Sequence, residues 1–137
     1  MASDEAIADN ELLYRRIPAC WYRPDDGYVD PLAFRPNKLD VTGLSLGRAS
    51  FHAAEAEAAK GRAGKKYFIA VVQASEVRKS GATVAPHPLE GDPGHAEIPE
   101  LTYDVRKADI AERLMHAIRA AIIRVEGPFD GAREASE

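Results

Sequence analysis

The stretch YFIAVVQA, at residues 67–74, decides the fold. It combines β-branched and aromatic residues, which favour a strand. Successive side chains of a strand point to opposite faces, and here apolar residues occupy both faces. A strand that is apolar on both faces is typical of the interior of a sheet, so we expect residues 67–74 to lie centrally.

Shorter strand patterns lie on both sides of this segment. They are predicted at residues 11–17 (ELLYRRI), 44–50 (LSLGRAS), 82–90 (ATVAPHPLE) and 95–101 (HAEIPEL). Pro18 ends the first of these strands. Pro86 and Pro88 cannot donate backbone hydrogen bonds to a neighbouring strand, which confines the later part of 82–90 to a sheet edge.

Helices are predicted between the strands. The alanine- and glutamate-rich segment 51–61 predicts a helix that Ser50 caps at its start and Gly61 ends. A short helical turn is predicted at residues 75–81. A longer helix is expected to run from Asp104 or Asp109 to Val125, and Gly127-Pro128 stops it. Its apolar stripe at helical spacing consists of Ile110, Leu114, Ile118, Ile122 and Val125.

This order of elements indicates an α+β fold in a compact single domain over residues 11–129. We expect a mixed or mostly antiparallel sheet, covered on one face by the C-terminal amphipathic helix. Residues 1–10 and 130–137 are expected to be flexible tails.

Composition excludes several classes of function. The chain has 137 residues and a formal net charge of −4, which argues against non-specific binding of nucleic acid. Lys60, Arg62, Lys65 and Lys66 cluster locally, either as a basic patch or as a solvated loop. No segment resembles a signal peptide or is apolar for long enough to span a bilayer, so we expect a cytoplasmic protein without membrane contact.

The single cysteine, Cys20, cannot form an intramolecular disulfide, which suits a reducing compartment. We expect its thiol to be a small buried apolar group beside Trp21. No metal site is predicted, because His87 and His95 lack the short-spaced partners that zinc sites use.

Three polar groups of residues are candidates for a site. Tyr14 and Arg15 belong to an arginine-rich first strand that could clamp a phosphate or carboxylate, or could simply pair with local acids. Ser45 enters a strand after a turn. His95 and Glu97 are two residues apart and therefore share one sheet face, where they could act as acid, base or hydroxyl-binding groups if that face is a cleft.

Four stretches occur in the order that ADP-ribosyltransferases show. They are LYRRI (13–17), GLSLGRASFHAAEAEAA (43–59), YFIAVVQASEV (67–77) followed by ATVAP, and GHAEI (94–98). These stretches cover roughly residues 12–98 and resemble that family's first-strand arginine, its strand-serine-helix segment and its late strand with a catalytic glutamate.

The resemblance implies that Arg15 binds a phosphate or ribose of NAD, with Tyr14 beside it. It implies that Ser45 supports the nicotinamide ribose and that Glu97 stabilises an oxocarbenium-like state. Two positions depart from the family pattern. Ser45 is followed by leucine rather than by a serine-threonine-serine run, and His95 stands where the family has a second glutamate or glutamine.

The chain as a whole also resembles small uncharacterised bacterial proteins with an RRI, AFRP, LSLGRA and GHAEI pattern, a resemblance that implies no activity. The sequence therefore agrees with two functions. The favoured expectation is a binding or accessory protein that meets a protein partner through an exposed aromatic patch around Trp21, Tyr22, Tyr28 and Phe34. The alternative is an NAD- or nucleotide-using transferase with Ser45, His95 and Glu97 as its catalytic residues.

Overall fold

The computed structural model of the chain describes residues 6–134. In chain order, its strands are β1 (Leu12–Pro18), β2 (Tyr22–Arg23), β3 (Tyr28–Val29), β4 (Leu44–Arg48), β5 (Lys66–Gln73), β6 (Ala85–Pro86), β7 (His95–Ile98) and β8 (Arg124–Asp130). The α-helices are α1 (Ala54–Ala59), α2 (Ala74–Lys79) and α3 (Asp109–Ala120). Short 3₁₀ turns cover Ala19–Trp21, Pro31–Phe34 and Tyr103–Val105. The predicted α+β class is confirmed.

Six strands form one sheet in the order β6-β7-β4-β1-β5-β8, and every neighbouring pair is antiparallel. The strands β2 and β3 form a separate hairpin. The strand β5 pairs with β1 on one side and with β8 on the other, so the predicted interior position of YFIAVVQA is confirmed. Ile69, Ala70, Val71 and Val72 are all completely buried.

Two layers of helix explain why β5 is apolar on both faces. Ala70 and Val72 belong to the larger core, together with Leu114, Met115 and Ile118 of α3. Ile69 and Val71 point to the opposite face and pack in a second cluster with Ala54 and Ala58 of α1. The predicted cover by the C-terminal helix is present, and a helix also lies on the other face.

The predicted extent of the C-terminal helix is wrong. The helix α3 ends at Ala120, and Val125 belongs to the strand β8. The buried stripe is Ala111, Leu114, Met115 and Ile118, whereas Ile110 is 53% exposed. The isoleucine-rich segment after Ala120 suits a strand as well as a helix, and the unpaired edge of β5 is available to it. The backbone N–H of Ile123 accordingly donates to the carbonyl of Val71 at 2.8 Å.

Several boundaries are also corrected. The helix α1 begins at Ala54 and not at residue 51, and its N-cap, Ala53, makes no side-chain cap bond. Ser50 is not the cap; its hydroxyl lies 3.4 Å from Glu11 instead. The edge strand predicted at 82–90 shortens to Ala85–Pro86, because each proline lacks the N–H that would extend the pairing. The helical turn predicted after β5 is confirmed as α2.

The described parts of both predicted tails are held against the fold. Ile7 is buried in the larger core, and its carbonyl accepts a hydrogen bond from Arg78 at 2.6 Å. At the other end, the backbone N–H of Arg133 donates to the carbonyl of Gly61 at 2.8 Å. Residues 1–5 and 135–137 lie outside the described part of the chain.

The aromatic loop after β1 folds onto the core and does not form the expected exposed patch. Phe34 is completely buried, and Trp21 and Tyr22 pack against the main core. Of the four aromatic residues, only Tyr28 is exposed, at 36%. Burying these rings removes much apolar area from water, which outweighs leaving them free for a partner. Cys20, expected to be buried, is exposed as a free thiol.

Candidate functional site

The strands β4 and β7 bring the polar residues of two distant segments together. Ser45 lies directly opposite Glu97, and Gly47 lies opposite His95. Direct partners in an antiparallel pair project to the same sheet face. Ser45, His95 and Glu97 therefore share one face, as predicted for His95 and Glu97 from their spacing.

This polar face borders a cavity of about 360 Å³. That volume falls within the usual range of small-molecule sites. Its walls include Arg15, Thr42, Ser45, His87, His95 and Glu97. Four of the five site residues proposed from the sequence thus meet at one cavity, which we call the Glu97 cavity.

Ser45 and His95 form a close hydroxyl–imidazole pair. The Ser45 Oγ lies 2.7 Å from the His95 Nε2, and the His95 Nδ1 lies 2.9 Å from the backbone carbonyl oxygen of His87. A carbonyl oxygen can only accept, so this contact places the neutral imidazole's proton on Nδ1. The Nε2 is then an acceptor for the Ser45 hydroxyl, and it can take up a proton from a group bound in the cavity.

Glu97 is a nearly buried carboxylate at the same cavity, with 7% of its surface exposed. Its Oε2 accepts a hydrogen bond from the Thr42 Oγ1 at 2.9 Å and lies 3.6 Å from the Nδ1 of His87. The turn that carries Thr42 approaches β7 closely at Gly43, where an added Cβ would lie 2.7 Å from the Ile98 carbonyl oxygen. Glycine at this position, with φ +156°, allows Thr42 to reach and orient the carboxylate.

Arg15 lies where β1 and β4 separate. Leu13 and Tyr14 of β1 pair with Arg48 and Gly47 of β4. Beyond these two pairs, the Arg15 guanidinium lies between the strands and bonds to the β4 backbone. Its Nε donates to the Ala33 carbonyl at 2.8 Å, and one terminal nitrogen donates to the Ser45 carbonyl at 3.0 Å. Arg15 therefore holds the backbone of Ser45 in place.

Burial lowers the pKa of the Arg15 guanidinium to about 10, although the Asp40 carboxylate opposes this change. The guanidinium thus keeps its charge at neutral pH. Asp40 also accepts from the backbone N–H of Ser45 at 3.3 Å. Two buried residues of opposite charge, Arg15 and Asp40, therefore lie beside the start of β4.

Tyr14 is the one proposed site residue that is not in the Glu97 cavity. It is buried on the α1 side of the sheet, where it packs in the smaller core with Ile69 and Ala58. Because Tyr14 lies opposite Gly47, it projects to the same sheet face as Ser45 and His95, and its packing against α1 keeps it out of the cavity.

A buried ion cluster beside the cavity was not foreseen from the sequence. Glu57 of α1 is 2% exposed, and its Oε1 lies 2.6 Å from the His52 Nε2 and 2.8 Å from the Lys60 Nζ. Burial alone would raise the pKa of the Glu57 carboxyl. The hydrogen bonds from His52 and Lys60, with the Lys60 charge, outweigh burial, so the pKa lies below its usual value.

The same cluster ties the helix α1 to the cavity wall. The Lys60 Nζ also lies 2.8 Å from the Asp92 carboxylate, and both of these residues line the Glu97 cavity. Two sequence signals could have indicated the cluster. Glu57 and Lys60 have the i,i+3 spacing of a helical ion pair, and Gly47 leaves room for a close neighbour on its strand.

Within residues 6–134, no group of three or more His, Cys, Asp and Glu side chains is placed to hold a metal ion. No helix in this part of the chain is long and apolar enough to cross a membrane. Comparison of the chain with protein-family models, curated proteins and solved structures found no match.

Proposed function

We propose that this protein is an NAD-using transferase that cleaves the bond between nicotinamide and ribose. The observation that supports the proposal is that Arg15, Ser45 and Glu97 come from three adjacent strands and border one cavity. The resemblance to ADP-ribosyltransferases requires these three residues to converge. Had their side chains bordered different surfaces, the resemblance would have carried no function.

Glu97 supplies the electrostatic part of the reaction. When the glycosidic bond breaks, nicotinamide leaves with the bonding electron pair, and its ring nitrogen loses its positive charge. The ribose C1′ and ring oxygen then share a positive charge. A carboxylate that Thr42 already orients stabilises this oxocarbenium-like state without reorganisation.

Ser45 and His95 supply the hydrogen-bonding and basic groups. In the second step, an acceptor hydroxyl or a water molecule attacks C1′ and forms the new C–O bond. Its proton passes to the Nε2 of His95, and the resulting imidazolium keeps its Nδ1–H bond to the His87 carbonyl. Once protonated, the Nε2 can no longer accept a hydrogen bond from the Ser45 hydroxyl. That hydroxyl then donates to a ribose oxygen.

The test measures the release of nicotinamide from NAD by chromatography. Water serves as the acceptor in this reaction. The wild-type protein is expected to release nicotinamide, and Glu97→Gln is expected to be at least about 100-fold slower because the stabilising charge is lost. Glu90→Gln is the matched control, since Glu90 is an exposed carboxylate in the loop before β7. Equal rates for Glu97→Gln and wild type, or no release by a wild type that binds NAD, would overturn the proposal.

A second candidate is an accessory protein that acts with a protein partner. The observation in its favour is three exposed apolar side chains near the Glu97 cavity: Leu39 (84% exposed), Val41 (71%) and Leu89 (46%). Leu39 and Leu89 line that cavity directly. Exposed apolar groups beside a polar cleft are typical of a contact surface.

Crosslinking in cell extract tests this second candidate. The double variant Leu39→Ser and Val41→Ser should lose a crosslinked species that Ile110→Ser retains, because Ile110 is exposed on α3. Retention of the species by the double variant would place the partner elsewhere on the protein.

A further inference from the structure

A second cavity, of about 380 Å³, adjoins the Glu97 cavity and shares Arg15 and Arg16 with it. Six basic side chains line this second cavity, which we call the basic cavity: Arg15, Arg16, Arg35, Arg62, Lys65 and Arg133. The rings of Trp21 and Tyr67 complete its walls. Nothing in the proposed cleavage chemistry uses most of these groups.

The basic cavity is positively charged, whereas the chain as a whole is negatively charged. The chain carries a net charge of −4 and has 18 Lys and Arg residues, so one third of all its basic residues face one cavity. No acidic side chain is among its lining residues. The walls of the Glu97 cavity, by contrast, contain both acidic and basic side chains. The acidic ones are Asp40, Asp92 and Glu97.

Five of these six cations have no carboxylate close by. Among residues 6–134, no carboxylate lies within 4.0 Å of Arg15, Arg35, Arg62, Lys65 or Arg133, whereas Arg16 lies 4.0 Å from Glu57. The adjacent Lys66 shows the ordinary arrangement, since its Nζ pairs with Asp130 at 2.7 Å. Like charges gathered in a concave surface produce a positive potential that attracts anions.

Backbone hydrogen bonds hold this arrangement in place. Residues 131–133 lie against the loop before β5, where the backbone N–H of Ala63 donates to the Arg133 carbonyl at 2.8 Å. The backbone N–H of Arg62 donates to the Tyr67 hydroxyl at 2.9 Å. The approach requires glycine at 131, where an added Cβ would lie 2.3 Å from the Arg62 carbonyl oxygen.

We propose that the basic cavity binds phosphate groups. Guanidinium groups match phosphate oxygens in pairs, and Lys65 adds a mobile point charge. Two molecules could supply such phosphate groups: NAD itself, through its diphosphate, and a phosphate-bearing second substrate. The phosphate site does not rest on the proposed cleavage reaction, because it is measured with inorganic pyrophosphate alone.

The experiment is calorimetric titration of the full chain with inorganic pyrophosphate. We expect saturable binding that weakens as salt is raised. Arg62→Gln should weaken it by about tenfold, the loss expected for one charge-assisted contact. Its side chain is exposed, and its structural hydrogen bonds come from the backbone, so the variant should fold.

The matched controls are two neighbouring lysines. Lys65→Gln should weaken pyrophosphate binding, whereas Lys66→Gln removes the same charge one residue away, outside the cavity, and should leave the affinity within about twofold. Equal affinities for Arg62→Gln, Lys65→Gln and Lys66→Gln, or no binding of pyrophosphate at millimolar concentrations, would overturn the phosphate site.

A competition titration separates the two sources of phosphate. If pyrophosphate and NAD exclude each other, the basic cavity holds the diphosphate of NAD. If both bind independently, it serves a separate phosphate-bearing molecule. Pyrophosphate binding is measured without NAD and nicotinamide release is measured with it, so failure of the cleavage proposal and failure of the phosphate site are distinguishable.

Discussion

Replacing Gly47 by alanine should disrupt the buried cluster around Glu57. A Cβ at position 47 would lie 2.0 Å from the Glu57 Oε1 and 2.5 Å from its Cδ. An ordinary contact needs well over 3 Å, so the carboxylate has to move by more than an ångström. It would then leave His52 and Lys60, which now contact it at 2.6 and 2.8 Å.

That displacement sets the loss of stability. Breaking a buried ion pair costs about 3–5 kcal/mol, but Lys60 keeps Asp92 as a partner and alanine suits a strand better than glycine does. We therefore expect Gly47→Ala to lower the free energy of unfolding by about 2–3 kcal/mol. In a domain of this size, that loss lowers Tm by roughly 6–10 °C.

A double-mutant cycle measured by urea denaturation tests this reasoning. In a Glu57→Ala background, the space that the carboxylate occupied is open, so adding the methyl group at position 47 should cost less than about 0.5 kcal/mol. The two sites should thus be coupled by about 2 kcal/mol. An equal cost of Gly47→Ala in both backgrounds would refute the assignment of the cost to Glu57.

Leu114→Ala should lower the free energy of unfolding in urea by about 2–5 kcal/mol because Leu114 is buried, whereas Ile110→Ala should cost less than about 1 kcal/mol; similar costs would contradict the observed stripe. Thr42→Val removes a hydrogen bond to Glu97, so nicotinamide release should slow by about tenfold with NAD affinity unchanged in calorimetry. The folded pKa of Glu57 is lowered from 4.5, so its stabilisation is complete above that pH and is lost as pH falls through the folded pKa. The stability advantage of wild type over Glu57→Gln should therefore shrink from pH 7 to pH 3 in urea titrations, and a constant difference would contradict this.

The strand pattern at residues 67–74 could be predicted because it depends on local composition. Alternate side chains of that segment must both be buried, so any fold that satisfies it places β5 inside a sheet. The edge position of β6 follows equally locally, from Pro86 and its missing N–H. Such features need no knowledge of the neighbouring strands.

The segment after Ala120 shows where local reasoning stops. Ile122 and Val125 continue the helical spacing of α3, and they also suit a strand. The choice depends on the free edge of β5, which accepts β8 through backbone hydrogen bonds. A pairing between residues more than fifty positions apart leaves no periodic signal in either segment.

The candidate site divides in the same way. The common face of His95 and Glu97 follows from the two-residue period of a strand. Their meeting with Ser45 depends on the register of β4 against β7, where a slip of one residue would turn Ser45 to the other face. The position of Arg15 likewise depends on the separation of β1 from β4.

By itself, therefore, the sequence determined that β5 is an interior strand and that His95 and Glu97 share a face. Both features depend on local backbone periodicity. The tertiary structure alone decided which segments adjoin. It placed Ser45 opposite Glu97 in neighbouring strands. It also brought Arg35, Arg62 and Arg133 to one cavity. Strand register and core burial act between residues that are far apart in the chain, so the chemistry they assemble becomes visible only in the folded protein.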